Sequence, residues 1–447
     1  MSDAATHAPG RQYGQAGGLS YLQAHGGTTG TPAPVGSLQV PVGKPTIGTA
    51  ELSRFTIGLA AFFGAFVMRE PAPYELFMVV IIPLFLLSGL KISRLAIALT
   101  TLWLLFNIGG LLSMFTMADY KGIPLYLAVT LFLGLSSVFW CAVIEADMGR
   151  LRTIMRGYVL GATITALFGI AGYFNAFPGA SMFTLYDRAM GVFQDPNVFG
   201  PFLVLPTIYL VYGLLFRSLS IAPIRAVLLM ILLFGIFLSF SRAAWGLVVF
   251  SGGLLYFFSL ITQTDPAVRL RLILMGFAGL AAVALALLVA LQFEAVYEMF
   301  EVRAKVVQEY DGAEVGRFAR HWIGFAWALE NPLGIGPLEF GLTLGEDTHN
   351  IWVKSLMAYG WLGFFSYLTI TVITLVAGGR LIGRTRPWQP YLHCAYAAYV
   401  GHLLVGWVID LDHWRHVFLI TGIIWGCIGL ELRHGQRYRR AQSEQTV

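Results

Sequence analysis

Charge is scarce in this sequence. Asp, Glu, Lys and Arg make up 12% of its 447 residues, about half the share usual in soluble proteins. Cysteine is scarcer still: Cys141, Cys394 and Cys427 are the only three, and each lies in an apolar stretch. An odd count without a C-x-x-C pair encodes neither a disulfide framework nor a zinc site. No apolar core of roughly 7–15 residues precedes a small-residue cleavage site near the N-terminus, so a signal peptide is not expected. What replaces charge is apolar surface, 57% of the residues, at a mean hydropathy of +0.70. A soluble domain could not hide so much of it, which excludes a disordered chain and an ordinary soluble enzyme. The solvent this sequence fits is a bilayer. The net charge of +5 and pI near 9.0 would suggest nucleic acid in a soluble protein. Here they reflect where Lys and Arg lie relative to the membrane, and no nucleic-acid partner is expected.

Residues 1–50 differ from everything after them. They hold ten Gly and five Pro with no periodic pattern, the composition of a disordered tail. From Phe55 onward, apolar runs recur until Leu430. A span needs about 20 residues at 1.5 Å of rise to cross about 30 Å of hydrocarbon, and about twelve runs qualify. They cover 53–69, 74–90, 94–116, 123–144, 151–174, 198–216, 221–240, 242–262, 270–292, 350–378, 390–409 and 416–431. Continuous runs of this kind make helices, not barrel strands. The expected fold is an all-α polytopic membrane protein. Its organisation reads as a tail (1–50), spans one to nine (51–292), a long loop (293–349), spans ten to twelve (350–431) and a basic tail (432–447).

Basic residues set the orientation. One set of connections carries Lys91, Arg94, Arg150, Arg152, Arg156, Arg217, Arg225, Arg269, Arg271, Arg380, Arg384 and Arg386, and the C-terminal tail adds four more Arg. The alternate connections carry far fewer outside the long loop: Arg69, Lys121, Arg188, Arg242 and Arg415. The positive-inside rule then places both termini in the cytoplasm. The long loop falls on the opposite side. Within it, Val315, Phe318, Trp322, Phe325 and Leu329 recur at helical spacing, with Arg317, Arg320 and His321 opposite. That pattern predicts an amphipathic helix able to lie at the membrane surface. Asn331-Pro332 ends it and Gly334-Ile335-Gly336-Pro337 forces a turn.

In such a chain the informative residues are polar ones near apolar segments on the side where the rule disfavours them. The first group runs from Asp187-Arg188 to Asp195-Pro196-Asn197, just before the sixth span. A helix start explains Asp195 as a cap and Pro196 in the first turn, but does not call for Arg188. The second is Ser241-Arg242; this Arg either snorkels to the interface or faces a cavity and meets an anion. The third joins Arg303, Lys305, Arg317 and Arg320 of the loop with Asp347-Thr348-His349-Asn350 at the tenth span. Guanidinium groups pair with phosphate oxygens, and His349 can accept a proton near neutral pH. The bland alternative makes Asp347 a cap and His349 an interfacial residue. A fourth run, Asp410-Leu411-Asp412-His413-Trp414-Arg415-His416, reads as a polar turn with internal ion pairs, with a divalent-cation site as the alternative.

Taken in order, these segments resemble the O-antigen ligase and Wzy-type polymerase superfamily of bacterial envelope glycosyltransferases. The resemblance rests on Arg188-Ala-Met-Gly-Val-Phe-Gln-Asp-Pro-Asn197, Leu238-Ser-Phe-Ser-Arg242, the loop from Arg317 to Gly336, His349-Asn350 and Gly360-Trp-Leu-Gly363. It covers roughly residues 55–430. What the resemblance implies is a GT-C-like inner-membrane enzyme with one large periplasmic loop. It would take a glycan from undecaprenyl diphosphate at the periplasmic face without a metal or other cofactor. A ligase passes the glycan to lipid A–core; a polymerase passes it to a second lipid-linked glycan, which makes an O-antigen or exopolysaccharide polymerase the near alternative. Carried over, Arg188 and His349 become the catalytic candidates. Arg188, Arg242 and one of Arg303, Arg317 or Arg320 become the diphosphate contacts.

Chemistry agrees with that assignment. Breaking the bond between sugar C1 and the diphosphate develops charge that preorganised Arg residues stabilise. His349 would take the acceptor proton, and attack opposite the leaving group predicts inversion. The rival from another class is a transporter or flippase of a lipid-linked anion. Such proteins often show internal repeats and broken midplane helices, and the sequence shows no convincing repeat. A non-catalytic scaffold would leave His349 and Arg188 without a purpose.

Overall fold

The computed structural model describes residues 47–216, 219–303 and 316–445. Residues 1–46 of the expected tail lie outside the described residues, as do Lys305 and Val315 of the long loop. Among the described residues, regular structure is helical except for one short ladder, β1 (Thr184–Leu185) against β2 (Arg188–Ala189). The protein is an all-α polytopic membrane protein. Every apolar run expected to span coincides with a helix, the sixth run with two in series. These are α1 (Ile47–Phe63), α2 (Pro73–Leu87), α3 (Arg94–Ser113), α4 (Ile123–Ala146), α5 (Arg150–Tyr173), α6 (Pro196–Phe202) and α7 (Val204–Phe216). Next come α8 (Ala222–Leu238), α9 (Arg242–Thr262) and α10 (Pro266–Ala290). The long loop contributes α11 (Glu294–Arg303), α12 (Arg317–Glu330) and α13 (Glu339–Leu344). The chain closes with α14 (Ile351–Gly379), α15 (Gln389–Val405) and α16 (Arg415–Gln445), the last continuing well past the expected end of its span.

Among the described residues, eight segments are long and apolar enough to cross a membrane: α3 to α5, the α6–α7 pair, α9, α10, α14 and α16. The other four expected spans, α1, α2, α8 and α15, are helices of 15 to 17 residues. Local chemistry sets many of the starts. Ser93, Asp195, Ser241, Asp265 and Asn350 each accept a backbone N–H of the first turn, satisfying donors that a helix start leaves unpaired.

Small residues let the central helices approach closely, the usual device of membrane bundles. A Cβ on Gly109 of α3 would come within 2.2 Å of the Tyr359 carbonyl oxygen of α14. Likewise Gly422, Gly426 and Gly429 of α16 lie hard against Trp140, Ile144 and Glu145 of α4. At the other extreme, α10 buries only Leu272 and Ala290, the exposure expected of a lipid-facing helix.

Hydrogen bonds and ion pairs join alternate connections into two sets. One set links Arg54 with Asp147, Arg150 with Ser53, Arg433 and Ser93 with Glu145, and Arg384 and Arg386 with Glu431. The other links Val67 with Val192, Arg188 with Ser239, Thr116 with Gly334, Tyr126 with Asp412, and Arg415 with Glu70 and Glu75. All six candidate site residues belong to connections or helix ends of this second set.

Candidate functional site

Arg188 opens β2 and is 6% exposed. Its Nε donates to the Ser239 carbonyl at 2.8 Å and its Nη2 to Asn197 Oδ1 at 2.8 Å. Ser239 lies in the turn between α8 and α9, which contains Phe240 at a φ of +45° and the cap Ser241. The first two sequence groups are therefore one structural unit. Gly200 of α6 completes it, because a Cβ there would meet Ser239 Oγ at 2.8 Å and Ala244 Cβ at 2.6 Å. Asp195 and Pro196 fill the roles expected of them, cap and first-turn proline. Arg242 opens α9 directly after this turn and is half-buried.

The long loop inserts into a break in α14. Gly360 takes a φ of +63° and ψ of −174° there, a conformation open essentially to glycine alone. In an unbroken helix the Met357 carbonyl would accept from Trp361 N. Instead Trp361 N donates to the Pro332 carbonyl at 3.0 Å, and Met357 O accepts from Ile335 N at 2.8 Å and Gly336 N at 3.2 Å. Polar backbone freed by a break must find partners inside a membrane protein, and the loop supplies them. Thr116 Oγ1 adds a hydrogen bond to the Gly334 carbonyl at 3.0 Å. The motifs Gly334-Ile-Gly336 and Gly360-Trp-Leu-Gly363 thus act together, as a socket and its plug.

Helix α12 is amphipathic as its periodicity predicts, with an orientation the periodicity does not give. Phe318, Trp322, Phe325 and Leu329 are exposed, Trp322 to 75%. Ala328 and Gly324 face inward against Val353, Phe340 and Met357. Arg320 and His321 are half-buried on the inner side. An apolar stripe turned outward, away from the protein, suits a helix lying in a membrane interface. From its inner side, Arg320 Nη1 pairs with Glu346 Oε2, and the same carboxylate oxygen lies 4.0 Å from His349 Nε2. Arg320 and His349 of the third group therefore meet at one carboxylate. No sequence motif singles out Glu346. His349 is 37% exposed at its side chain and has a φ of +49°. Arg303 closes α11 and Arg317 opens α12, which places their backbones on the two helices flanking the undescribed stretch.

Beneath His349 lies a buried ionic cluster. Lys354 Nζ, on the first turn of α14, is 2.8 Å from Asp347 Oδ2, 3.5 Å from Asp410 Oδ2 and 3.6 Å from Asp412 Oδ1. Tyr126 and Tyr359 donate to Asp412, and Asn350 N donates to Asp410 Oδ1 at 2.9 Å. Burial pushes the Asp410 carboxyl up to about 7, with Lys354 opposing the rise. Burial works the same way on Asp412, but Lys354, His413 and the Tyr126 hydroxyl outweigh it and hold that carboxyl below its usual range. The run from Asp410 is an ion-paired turn, but its ion pairs are not internal as expected: Asp410 and Asp412 pair with Lys354, and Arg415 with Glu70 and Glu75. A lone Lys within a span was the signal available. Among the described residues, no group of three or more His, Cys, Asp or Glu is arranged to hold a metal ion.

An open cleft of about 640 Å³ lies between the end of α5, the β1–β2 turn and α11. Tyr173, Asn175, Ser181 and Asp187 line one wall, and Glu298, Met299 and Val302 the other. Asp187 of the first group thus lines the cleft, and Val302 of α11 lines its other wall.

These features define a polytopic helical membrane protein whose candidate polar residues gather at one set of connections. Residues 227–368 match the family model described as O-antigen ligase (Wzy_C). The match runs from α8 through the long loop to α14 and takes in Arg242, Arg303, Arg317, Arg320 and His349. This match, over about a third of the chain, supports a relation to the O-antigen ligase superfamily. Among curated proteins none matches the chain.

Proposed function

We propose that the chain is an inner-membrane glycosyltransferase acting at the periplasmic face. It moves a glycan from undecaprenyl diphosphate to lipid A–core, inverting the anomeric carbon without a metal. The observation that carries this reading is the O-antigen ligase match over the segment containing Arg320, Glu346 and His349. His349, exposed and beside a carboxylate, takes the proton of the acceptor hydroxyl. Arg188, Arg242 and the loop arginines Arg303, Arg317 and Arg320 stabilise the diphosphate as it leaves. The cleft beside Asp187 and Val302 has the size of a small-molecule site. The outward apolar stripe of α12 keeps the loop at the membrane surface, where a lipid donor presents its headgroup. Cytoplasmic termini complete the reading, supported by the distribution of basic residues.

Polymerase activity is the second reading, because the family match covers both reactions and acceptor choice depends on surface shape. Transport is the reading from another class. It would use a broken helix to line a substrate path, whereas the break at Gly360 is filled by the protein's own loop. The test is reconstitution with undecaprenyl-diphosphate glycan and either lipid A–core or a second lipid-linked glycan. Release of undecaprenyl diphosphate with glycan on lipid A–core supports a ligase, and lengthened glycan a polymerase. No release with either acceptor, while glycan crosses the vesicle membrane, overturns the enzyme reading.

A further inference from the structure

His349 is held in an unusual way. Its φ of +49° lies in the left-handed region, which a side chain with a Cβ occupies only where its surroundings over-determine it. Both flanking segments are anchored. On one side, Asp347 Oδ2 is 2.8 Å from Lys354 Nζ, and Thr348 between them and His349 is fully buried. On the other, Asn350 N donates to Asp410 Oδ1 at 2.9 Å, while Asn350 Oδ1 caps α14 by accepting from Trp352 N and Val353 N. Lys354 belongs to both anchors, because it also contacts Asp410 at 3.5 Å. The base of the anchor is rigid in turn. Lys354 is 7% exposed and sits on the half of α14 that precedes Gly360, and that half is tied to Gly334–Gly336 through the Met357 carbonyl.

We propose that Lys354 is a positioning residue for His349. Through Asp347 and Asp410 it clamps the 347–350 turn in the strained conformation that presents the imidazole to the acceptor. This inference rests on the proposed role of His349 as proton acceptor. Lys354 itself is buried beneath the turn and touches no substrate; it acts on the reaction only through the place it gives His349. The clamp explains why a lysine is kept in an apolar helix at the cost of desolvating it, and why three carboxylates converge there.

The test uses the full chain in proteoliposomes, with turnover counted per donor-binding site and KM measured for the lipid-linked glycan. Lys354→Met and Asp347→Ala are each expected to lower kcat about 10- to 100-fold, the loss typical of a reacting group displaced by about 1 Å. KM for the donor should stay within about two-fold, since neither variant alters a proposed diphosphate contact. Combined, they should lose no more than the worse single variant, because both break the same tether. If Lys354→Met does not fold, Asp347→Ala decides alone, since it leaves Lys354 paired with Asp410 and Asp412. Unchanged kcat in folded Asp347→Ala overturns the proposal, as does a rise in KM with kcat intact, or losses that multiply in the double variant. His349→Ala is run beside them. Wild-type turnover in that variant removes the base reading itself, whereas its loss with Asp347→Ala at full kcat removes only the clamp.

Discussion

Arg188 and His349 head the two halves of the candidate site, and the protein holds them in opposite ways. Arg188 is buried, with its guanidinium plane fixed by a backbone carbonyl and an amide oxygen. His349 is partly exposed on a left-handed turn, with carboxylate and lysine anchors around it. A group that must present charge at a constant place gains from several fixed hydrogen bonds. A group that must exchange protons needs access and a defined direction, and loses both if it is buried in satisfied contacts. In this contrast Arg188 combines a structural duty with its proposed electrostatic one, whereas the duty proposed for His349 is chemical.

Substitutions can break that comparison. The largest combined effect is expected for Arg188→Ala, which strands the buried Ser239 carbonyl and removes the partner of the half-buried Asn197 Oδ1. A stranded buried carbonyl costs about 1–3 kcal/mol, so both the thermal midpoint and the transfer rate should fall. Arg188→Ala with an unchanged midpoint would show that the two hydrogen bonds carry no structural duty. Gly360→Ala comes next. It combines a glycine-only backbone conformation, worth about 1–3 kcal/mol, with a Cβ 2.6 Å from the Leu333 carbonyl oxygen. Its melting curve should shift downward, and Gly334→Ala should do the same through a contact of 2.6 Å with Met357 O.

A smaller effect is expected at Glu346, which is 61% exposed. Exposed ion pairs contribute about 0–1 kcal/mol, so Glu346→Gln should leave stability nearly unchanged. Any drop in its kcat then reports on His349 and Arg320 and not on folding. The smallest effect concerns pH. Asp410 titrates at about 7 in the folded protein against an ordinary 3.8, so between those values the fold binds more protons than the unfolded chain. Stability therefore declines as pH rises through that window, and Asp410→Asn should flatten the slope of midpoint against pH.

Much of this architecture can be read from the sequence, because span-length apolar runs have few other uses. Helix α12 is likewise announced by Phe318, Trp322, Phe325 and Leu329. Which way its stripe faces is not, since periodicity defines a stripe without saying whether protein or lipid covers it. Arg188, Arg242, Arg320 and His349 stand out as charge in the wrong place. What joins them cannot be seen in one dimension: the bond from Arg188 to Ser239 is a tertiary contact between two motifs that look independent. The plugging of α14 is equally hidden, because Gly360 and Gly334 each suggest a local irregularity and only the fold pairs them. Lys354 is masked by its neighbours, one charge in a long apolar run whose acidic partners lie in other segments.

In the proposed function, glycan transfer runs through His349 on a scaffold that does not depend on it. The most direct test is the rate of undecaprenyl diphosphate release by His349→Ala in proteoliposomes containing donor and acceptor, with the thermal midpoint measured on the same sample. A loss of about 10²–10⁴ in rate, the usual contribution of a general base, is expected at an unchanged midpoint. Release at the wild-type rate by a folded His349→Ala protein would contradict it.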